Sequence, residues 1–347
     1  MLDRHPASEV PDVGGGLWER VRDAVLAESG AATSLWNGQL KYTDPEKKIL
    51  GSAAADGTLR LGKDRVVRPL QEMSAHRGGP VEQKQLRAWR NALETVVHEF
   101  CHLAAEAGFT HADRKAGMKR PELGPIEEGT TEAWSQARLD RIIDRVVPPE
   151  LARQLTSVRT TESYPAWAPA VRAFAQDLGA ETRLDFAQVL DQMSRAGRAG
   201  KAQVAADLLF KASELPFLVP LDAQAAIREE LRATIDQGFA DLRPLNENRP
   251  PDLPVVAGRR GQEIARAAVL VVRRAETRFQ PPRASERIVG RQTTPLDREI
   301  AGLRAVLDAQ SPTGTAAGAQ SQTPSGAGTV QDRPRLDRPT DGKPRTR

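Results

Sequence analysis

The segment Thr95–Glu106, TVVHEFCHLAAE, places His98, Glu99 and His102 in an H-E-x-x-H string. On a helix, residues four apart share a face, one turn above the other. Two imidazoles so placed reach one ion together. Both are neutral at pH 7, and each has a lone pair to offer Zn²⁺. Glu99 sits beside them, able to take a proton from a water that the metal activates. The chain holds five histidines, His5, His76, His98, His102 and His111, so two of them at this spacing beside a Glu is a scarce arrangement. Around the string, Leu86, Trp89, Leu93, Val96/Val97, Phe100 and Leu103 recur every three to four residues. That period predicts an amphipathic helix over about Val81–Ala107, the setting the chemistry needs.

Two histidines are not a catalytic site, because a catalytic zinc takes three protein ligands with water in the fourth position. The longer string H-E-x-x-H-x-x-G-x-x-H is absent, so the third ligand has to come from another element. A carboxylate on a second helix, antiparallel to the first, can supply it. Such a helix opens at Gly124-Pro-Ile-Glu-Glu-Gly-Thr-Thr-Glu-Ala-Trp-Ser-Gln136 and runs to about Val146, with apolar positions at Ala133/Trp134, Leu139, Ile142/Ile143 and Val146. Glu127, Glu128 and Glu132 are the candidates. Acidic residues at a helix start are also favoured by the helix dipole alone.

Over about residues 90–145, the pair of motifs resembles a zincin metallopeptidase of the gluzincin type. In that group a Glu on a downstream helix, followed by Gly, a small or apolar residue and Thr or Ala, completes the metal site. Glu128-Gly129-Thr130-Thr131 is similar to that pattern, which implies Glu128 as the ligand. Thr131-Glu132-Ala133-Trp134-Ser135 resembles the Asn-Glu-Ala-x-Ser piece of thermolysin-like enzymes and would instead make Glu132 the ligand. The two are four apart and share a face, so whichever does not ligate can hydrogen-bond a ligand histidine. Several zincins stabilise the oxyanion with a Tyr or His donor. Of the two tyrosines, Tyr42 and Tyr164, the second stands just before a predicted helix and is the candidate, with a packing Tyr as the plain alternative. His111 is either an extra ligand, an oxyanion donor or a surface histidine. Cys101 is either a thiol near the metal or a small core residue. The resemblance implies a Zn²⁺ cofactor, a peptide or protein substrate, and hydrolysis of a peptide bond with Glu99 as general base.

Composition narrows the alternatives. The 347 residues carry a net charge of +4, with 39% hydrophobic and 4% aromatic residues. The positive charge is Arg spread along the chain with no nucleic-acid-binding signature, and it reads as solvated helix faces. A single cysteine excludes an internal disulfide framework. The N-terminus has no apolar h-region, so the expected location is the cytoplasm, or outside the cell by a route without a cleavable signal peptide. The apolar run Ala267–Val272 is far too short to span a bilayer.

Taken in order, the chain predicts an α+β, mostly α fold. Residues 1–15 read as a disordered N-terminus. Residues 16–180 read as a zincin-like catalytic domain in which a helix at Leu17–Glu28 and a small sheet precede the active-site helix and the third-ligand helix. Strands are expected at Gln39–Tyr42, Lys48–Gly51, Thr58–Gly62 and Val66–Val67, with Asp56-Gly57 as a hairpin turn; Thr58–Gly62 is either an ordinary hairpin strand packing on the core, the plainer reading, or a candidate edge for an extended substrate. Gly108–Pro125 reads as a loop. Helices at Leu184–Ala196, Lys201–Ala212 and Asp222–Asp241 make a helical subdomain over 181–243. Residues 244–309 hold a Pro- and Gly-rich linker (246–261) and two further helices, Gln262–Arg278 and Pro295–Ala309, the first basic on one face. Residues 310–347 bury too little to repay their ordering and read as a disordered tail. Two other function classes fit parts of this pattern. One is a catalytically silent zincin-fold binding or structural module. The other is a basic protein that binds nucleic acid through residues 259–347, salt-sensitively.

Overall fold

A computed structural model of the chain describes residues 13, 16–44, 46, 49–160 and 163–280. They fold mostly as helices, with one three-stranded sheet and a two-stranded ribbon. Helix α1 (Leu17–Ser29) buries Leu17, Trp18, Val21 and Val25 along one stripe and ends at Gly30, whose φ of 67° closes it in the left-handed conformation. The helical period then breaks. Strands β1 (Thr33–Ser34), β2 (Leu40–Tyr42), β3 (Gly51–Ala53) and β4 (Leu59–Leu61) follow.

β4 is the middle strand of the sheet, parallel to β2 and antiparallel to β3. Thr58–Gly62 is therefore the hairpin strand packed on the core, and not the edge that could take a substrate strand. Leu59 and Leu61, two apart, share one face of the sheet and are fully buried in the core, while the exposed Arg60 between them faces away. The edge beside the motif helix is β3, two residues further along than expected from Lys48–Gly51. The expected strand at Val66–Val67 is also absent. Residues Lys63–Val67 form a π-helical turn that leads into α2 (Arg68–Ala75). Pro69 lies in the first turn of α2, where its missing N–H leaves no hydrogen bond unmade.

Helix α3 (Gln83–Leu103) carries the H-E-x-x-H string and buries Leu86, Trp89, Leu93, Val96, Val97, Phe100 and Leu103. It stops one residue past His102 because β5 (Ala104–Ala105) pairs antiparallel with β1, Ala104 opposite Ser34. The stretch read as a loop after it contains α4 (His111–Met118). Its start is a capping box in which Thr110 and Asp113 satisfy each other's backbone N–H, a T-x-x-D cue that the polar composition obscured. A 3₁₀ turn at Pro121–Leu123 leads into α5 (Gly124–Val146), which ends where its apolar period ends.

The rest is helical: α6 (Pro149–Thr156), α7 (Ala168–Thr182), α8 (Phe186–Arg195), α9 (Lys201–Ala212), α10 (Leu215–Leu218), α11 (Leu221–Ala240), α12 (Arg243–Asn248) and α13 (Leu253–Phe279). Much of the stretch expected as a linker at 246–261 is therefore helix. Pro254 falls in the first turn of α13. Gly261 serves close packing rather than a break, since a Cβ there would fall 2.0 Å from the Ala170 carbonyl oxygen of α7. The described residues belong to one compact unit, with α13 laid along α7 and α11 packed on α9. The expected disordered N-terminus (apart from Val13), the helix at Pro295–Ala309 and the tail at 310–347 lie outside the described residues. No helix among the described residues is long and apolar enough to cross a membrane.

Candidate metal centre

α3 and α5 lie side by side in antiparallel directions. His98 faces Glu132, and His102, one turn further along α3, faces Glu127 and Glu128. The fully buried Phe100 and Trp134 anchor the two helices from outside this seam, Phe100 edge-on to Trp36 and Trp134 through Nε1–H to Asp191. Glu127, Glu128, Thr131 and Glu132 recur at helical spacing and turn one polar face toward the histidines.

Three atoms converge there. His98 Nε2 lies 3.2 Å from His102 Nε2, and Glu128 Oε2 lies 3.3 Å from each of them. Ligands held tetrahedrally at the usual zinc distances of about 2.0–2.1 Å are separated by about 3.3–3.4 Å. The triangle matches one face of that tetrahedron. The other ring nitrogens are already engaged: His98 Nδ1 is 3.1 Å from Glu132 Oε2, and His102 Nδ1 is 2.6 Å from Glu127 Oε1. If each Nδ1 donates its hydrogen to its carboxylate, both Nε2 lone pairs point at Glu128. Three electron-rich atoms then meet with nothing positive between them. His98, His102 and Glu128 thus form a group able to hold a metal ion.

The proton affinities express the same demand for positive charge. Burial works to lower the His98 pKa, but hydrogen bonds to Glu128 and Glu132 and the nearby Glu99 carry it well above the ordinary histidine range. Burial also opposes the charge on His102, and Glu128 and Glu127 again outweigh it and raise its pKa. On the carboxylate side, burial is likewise overcome. Glu128 is held well below the usual range by the two imidazoles. Glu127 is held at about 2 by Lys201 and His102.

Glu127 was among the ligand candidates, and the geometry instead gives it the support of His102. Its other oxygen, Oε2, pairs at 3.3 Å with Lys201 Nζ, a side chain only 2% exposed at the start of α9. Lys201 also donates to the Met193 and Ala196 carbonyls. Nothing local in the sequence marks this lysine, because only the packing of α9 against α5 brings it here. Glu132 supports His98 and also accepts the Ser163 N–H at 3.0 Å. That bond anchors the loop carrying Tyr164. The Tyr164 ring stacks on His98, centroids 5.6 Å apart, with Trp167 stacked behind it. Burial and the adjoining Glu128 and Glu99 carboxylates raise its pKa, so the phenol stays protonated. Gly129 permits this approach, since a Cβ there would lie 2.8 Å from the Trp167 carbonyl.

Glu99 has no hydrogen bond among the described residues. Burial raises its pKa, and the two imidazoles partly offset the effect. Its carboxylate reaches β3 at Gly51, where a Cβ would sit 2.7 Å from Glu99 Oε1. Arg114 of α4 ties the same parts together. It donates to the His102 carbonyl, to Ala53 O at 2.7 Å and to Ala54 O at 3.2 Å. A cleft of about 680 Å³ opens on one side of the triad, and a pocket of about 200 Å³ on the other. Gly51, Glu99 and Tyr164 line both, so the two spaces meet at the triad.

His111 is not part of the group. Its Nδ1 faces Ala55 O at 3.3 Å beside the β3–β4 turn. Cys101 is buried, which pushes its thiol up to about 12, so it is protonated and packs as a small core residue. No protein-family model matches the chain, and no curated protein or solved structure matches it.

Proposed function

We propose that the chain is a zinc-dependent metallopeptidase of the zincin type, with His98, His102 and Glu128 as the metal ligands. One observation carries this reading: two imidazole nitrogens and a carboxylate oxygen at mutual distances of 3.2–3.3 Å, with an unbonded, buried Glu one residue from the first histidine. A zinc ion held there supplies Lewis acidity to a water and to the scissile carbonyl.

The chain's own groups do the rest. Glu99 takes the proton of the attacking water, and burial, which raises its pKa above the usual carboxylate range, makes it a stronger base for that task. It then returns the proton to the leaving amine. Tyr164, kept as a phenol, donates to the carbonyl oxygen as negative charge builds there. Glu127 and Glu132 keep the ring hydrogens on Nδ1 and the Nε2 lone pairs on the metal side.

An extended peptide is the substrate form that fits the cleft. β3 bonds to β4 through residues 50, 52 and 54 (Gly62 N–H to Leu50 O, Ala54 N–H to Thr58 O), which leaves the backbone groups of Gly51 and Ala53 on the outer side. Arg114 takes the Ala53 carbonyl. The groups of Gly51, beside Glu99, remain to pair with a substrate strand.

The test is metal analysis of the purified protein beside His98→Ala, combined with digestion of a denatured-protein mixture by the zinc-loaded wild type and Glu99→Gln. One zinc per chain, lost in His98→Ala, and cleavage abolished in Glu99→Gln are expected. Cleavage by Glu99→Gln at the wild-type rate, or a His98→Ala protein that still binds zinc stoichiometrically, would overturn the proposal.

A further inference from the structure

We infer that Arg198 selects the substrate: the pocket on the His102 side of the metal triad receives a carboxylate of the peptide, either an Asp or Glu side chain or the chain terminus. The inference rests on the hydrolase reading and adds the class of substrate to it.

Arg198 lies in the short Gly197–Gly200 link between α8 and α9 and lines the 200 Å³ pocket together with His102, Arg114, Glu128 and Tyr164. A space of that size takes one side chain, given that an apolar cavity of about 150 Å³ admits benzene. Every other cation in the pocket is occupied. Lys201 is paired with Glu127 and two carbonyls, and Arg114 is spread over three carbonyls. Among the described residues Arg198 has no ion pair and no hydrogen bond, and its Nε is sealed from solvent without an acceptor. The side chain is half-buried, and Glu122 acts on it only from beyond ion-pair distance, so its fork of donors is left for a planar carboxylate, the partner it fits.

The placement is built rather than incidental. Arg198 runs past two glycines, Gly117 and Gly124. A Cβ on the first would press its Cβ at 3.3 Å, and a Cβ on the second would press Nη2 at 3.2 Å. The preceding Gly197 lies against the Phe109 ring, with no room for a side chain. The acids in the pocket do not satisfy the guanidinium. Glu127 is committed to Lys201 and His102, and Glu128 to the two imidazoles. Glu99, the reacting base, is the remaining acid there, and it lies beyond ion-pair distance of Arg198. The cleft on the far side of the triad is different in character: Glu94, Asp64 and Glu132 line it beside a single arginine, Arg65, so acids outnumber cations there. A carboxylate on the substrate therefore prefers one side of the scissile bond.

Two measurements test this on the full chain. The first profiles cleavage of a proteome-derived peptide library by the zinc-loaded wild type, Arg198→Ala and Arg198→Glu, with free and with amidated C-termini. About tenfold enrichment of Asp or Glu at one position, on one side of the cut, is expected for the wild type, lost in Arg198→Ala and turned toward Lys or Arg in Arg198→Glu. If the terminal carboxylate is the one bound, the preference disappears with amidation instead. The second measurement needs no turnover. The metal-loaded protein is titrated calorimetrically with alkyl hydroxamates of two to six methylenes, with and without a terminal carboxylate. At one length the acid should bind about tenfold more tightly than its neutral analogue, and only in the wild type. A wild type that cleaves without acidic preference, a preference that survives Arg198→Ala, or equal binding of acid and neutral hydroxamates at every length would overturn the inference. Failure of every hydroxamate to bind the zinc-loaded protein would remove the metal-centre reading and this one together.

Discussion

In the proposed reaction, Glu99 acts in turnover and the two histidines in metal binding, so substitutions separate the two. Glu99→Gln should retain zinc and lose about 10²–10⁴-fold in peptide hydrolysis, measured by metal analysis and single-turnover rates on one preparation. Glu127→Gln and Glu132→Gln leave the ligands in place and loosen their rings. Each should weaken zinc binding about 10–100-fold in a competition titration. The imidazoles fix the pH dependence. Their pKa values in the folded, metal-free protein are raised above the ordinary 6.5. The proton-linked stability they contribute is thus present below pH 6.5 and is lost as pH rises through the raised values. Metal must displace those protons, so zinc affinity should climb as pH rises from 6.5 upward. The metal-free protein in chelator should melt lower at pH 9 than at pH 6, and added zinc should recover most at the higher pH. A pH-independent zinc affinity over that range would contradict the assignment of the histidines as ligands.

At the scale of elements, the site depends on how closely α3, α5, β3 and the Tyr164 loop approach one another. Two glycines set those distances. Gly51→Ala would bring a methyl group against Glu99 Oε1 and the Thr95 side chain, both under 3 Å. It should lower hydrolysis steeply and leave zinc content unchanged. Gly129→Ala meets the Trp167 carbonyl and Val171 at 2.8 Å, which pushes the Tyr164 loop and α7 off α5. About 1–3 kcal/mol of stability should be lost, read by denaturant unfolding. Lys201 joins α9 to the site. Lys201→Met leaves Glu127 buried without its cation, and breaking such a pair costs about 3–5 kcal/mol. Its zinc affinity should fall as well, because a Glu127 that takes up a proton no longer fixes the His102 ring.

For the whole molecule, the later helices are part of the structure that supports the site. α13 buries Leu253, Ile264, Val271 and Val272 and packs along α7, the helix that follows the Tyr164 loop. Each large aliphatic side chain buried is worth about 1.5–3 kcal/mol, so the four approach the whole stability of an ordinary domain. A chain ending at Asp252 should therefore lose its cooperative thermal transition, followed by circular dichroism, whereas one ending at Pro281 should keep it. Retention of a sharp transition by the shorter chain would show that the first 252 residues fold alone.

The spacing of apolar residues was enough to place α1, α3, α5, α8, α9 and α11 to within a few residues, because helix period is a local property of the chain. The same locality made H-E-x-x-H legible and narrowed the candidates for a third ligand to one acidic cluster on α5. Local cues did not reach the sheet. Thr58–Gly62 looks like any alternating strand, and only backbone pairing with β2 on one side and β3 on the other makes it central. Nor could they divide the three glutamates among their tasks, since that depends on the antiparallel register of α3 against α5. Lys201, Arg114 and Arg198 carry no signal in their own neighbourhoods. The sequence determined which groups could hold a metal ion. Long-range packing decided which carboxylate faces the two imidazoles, which ones orient them, and which cation is left without a partner, because those are distances between elements far apart in the chain.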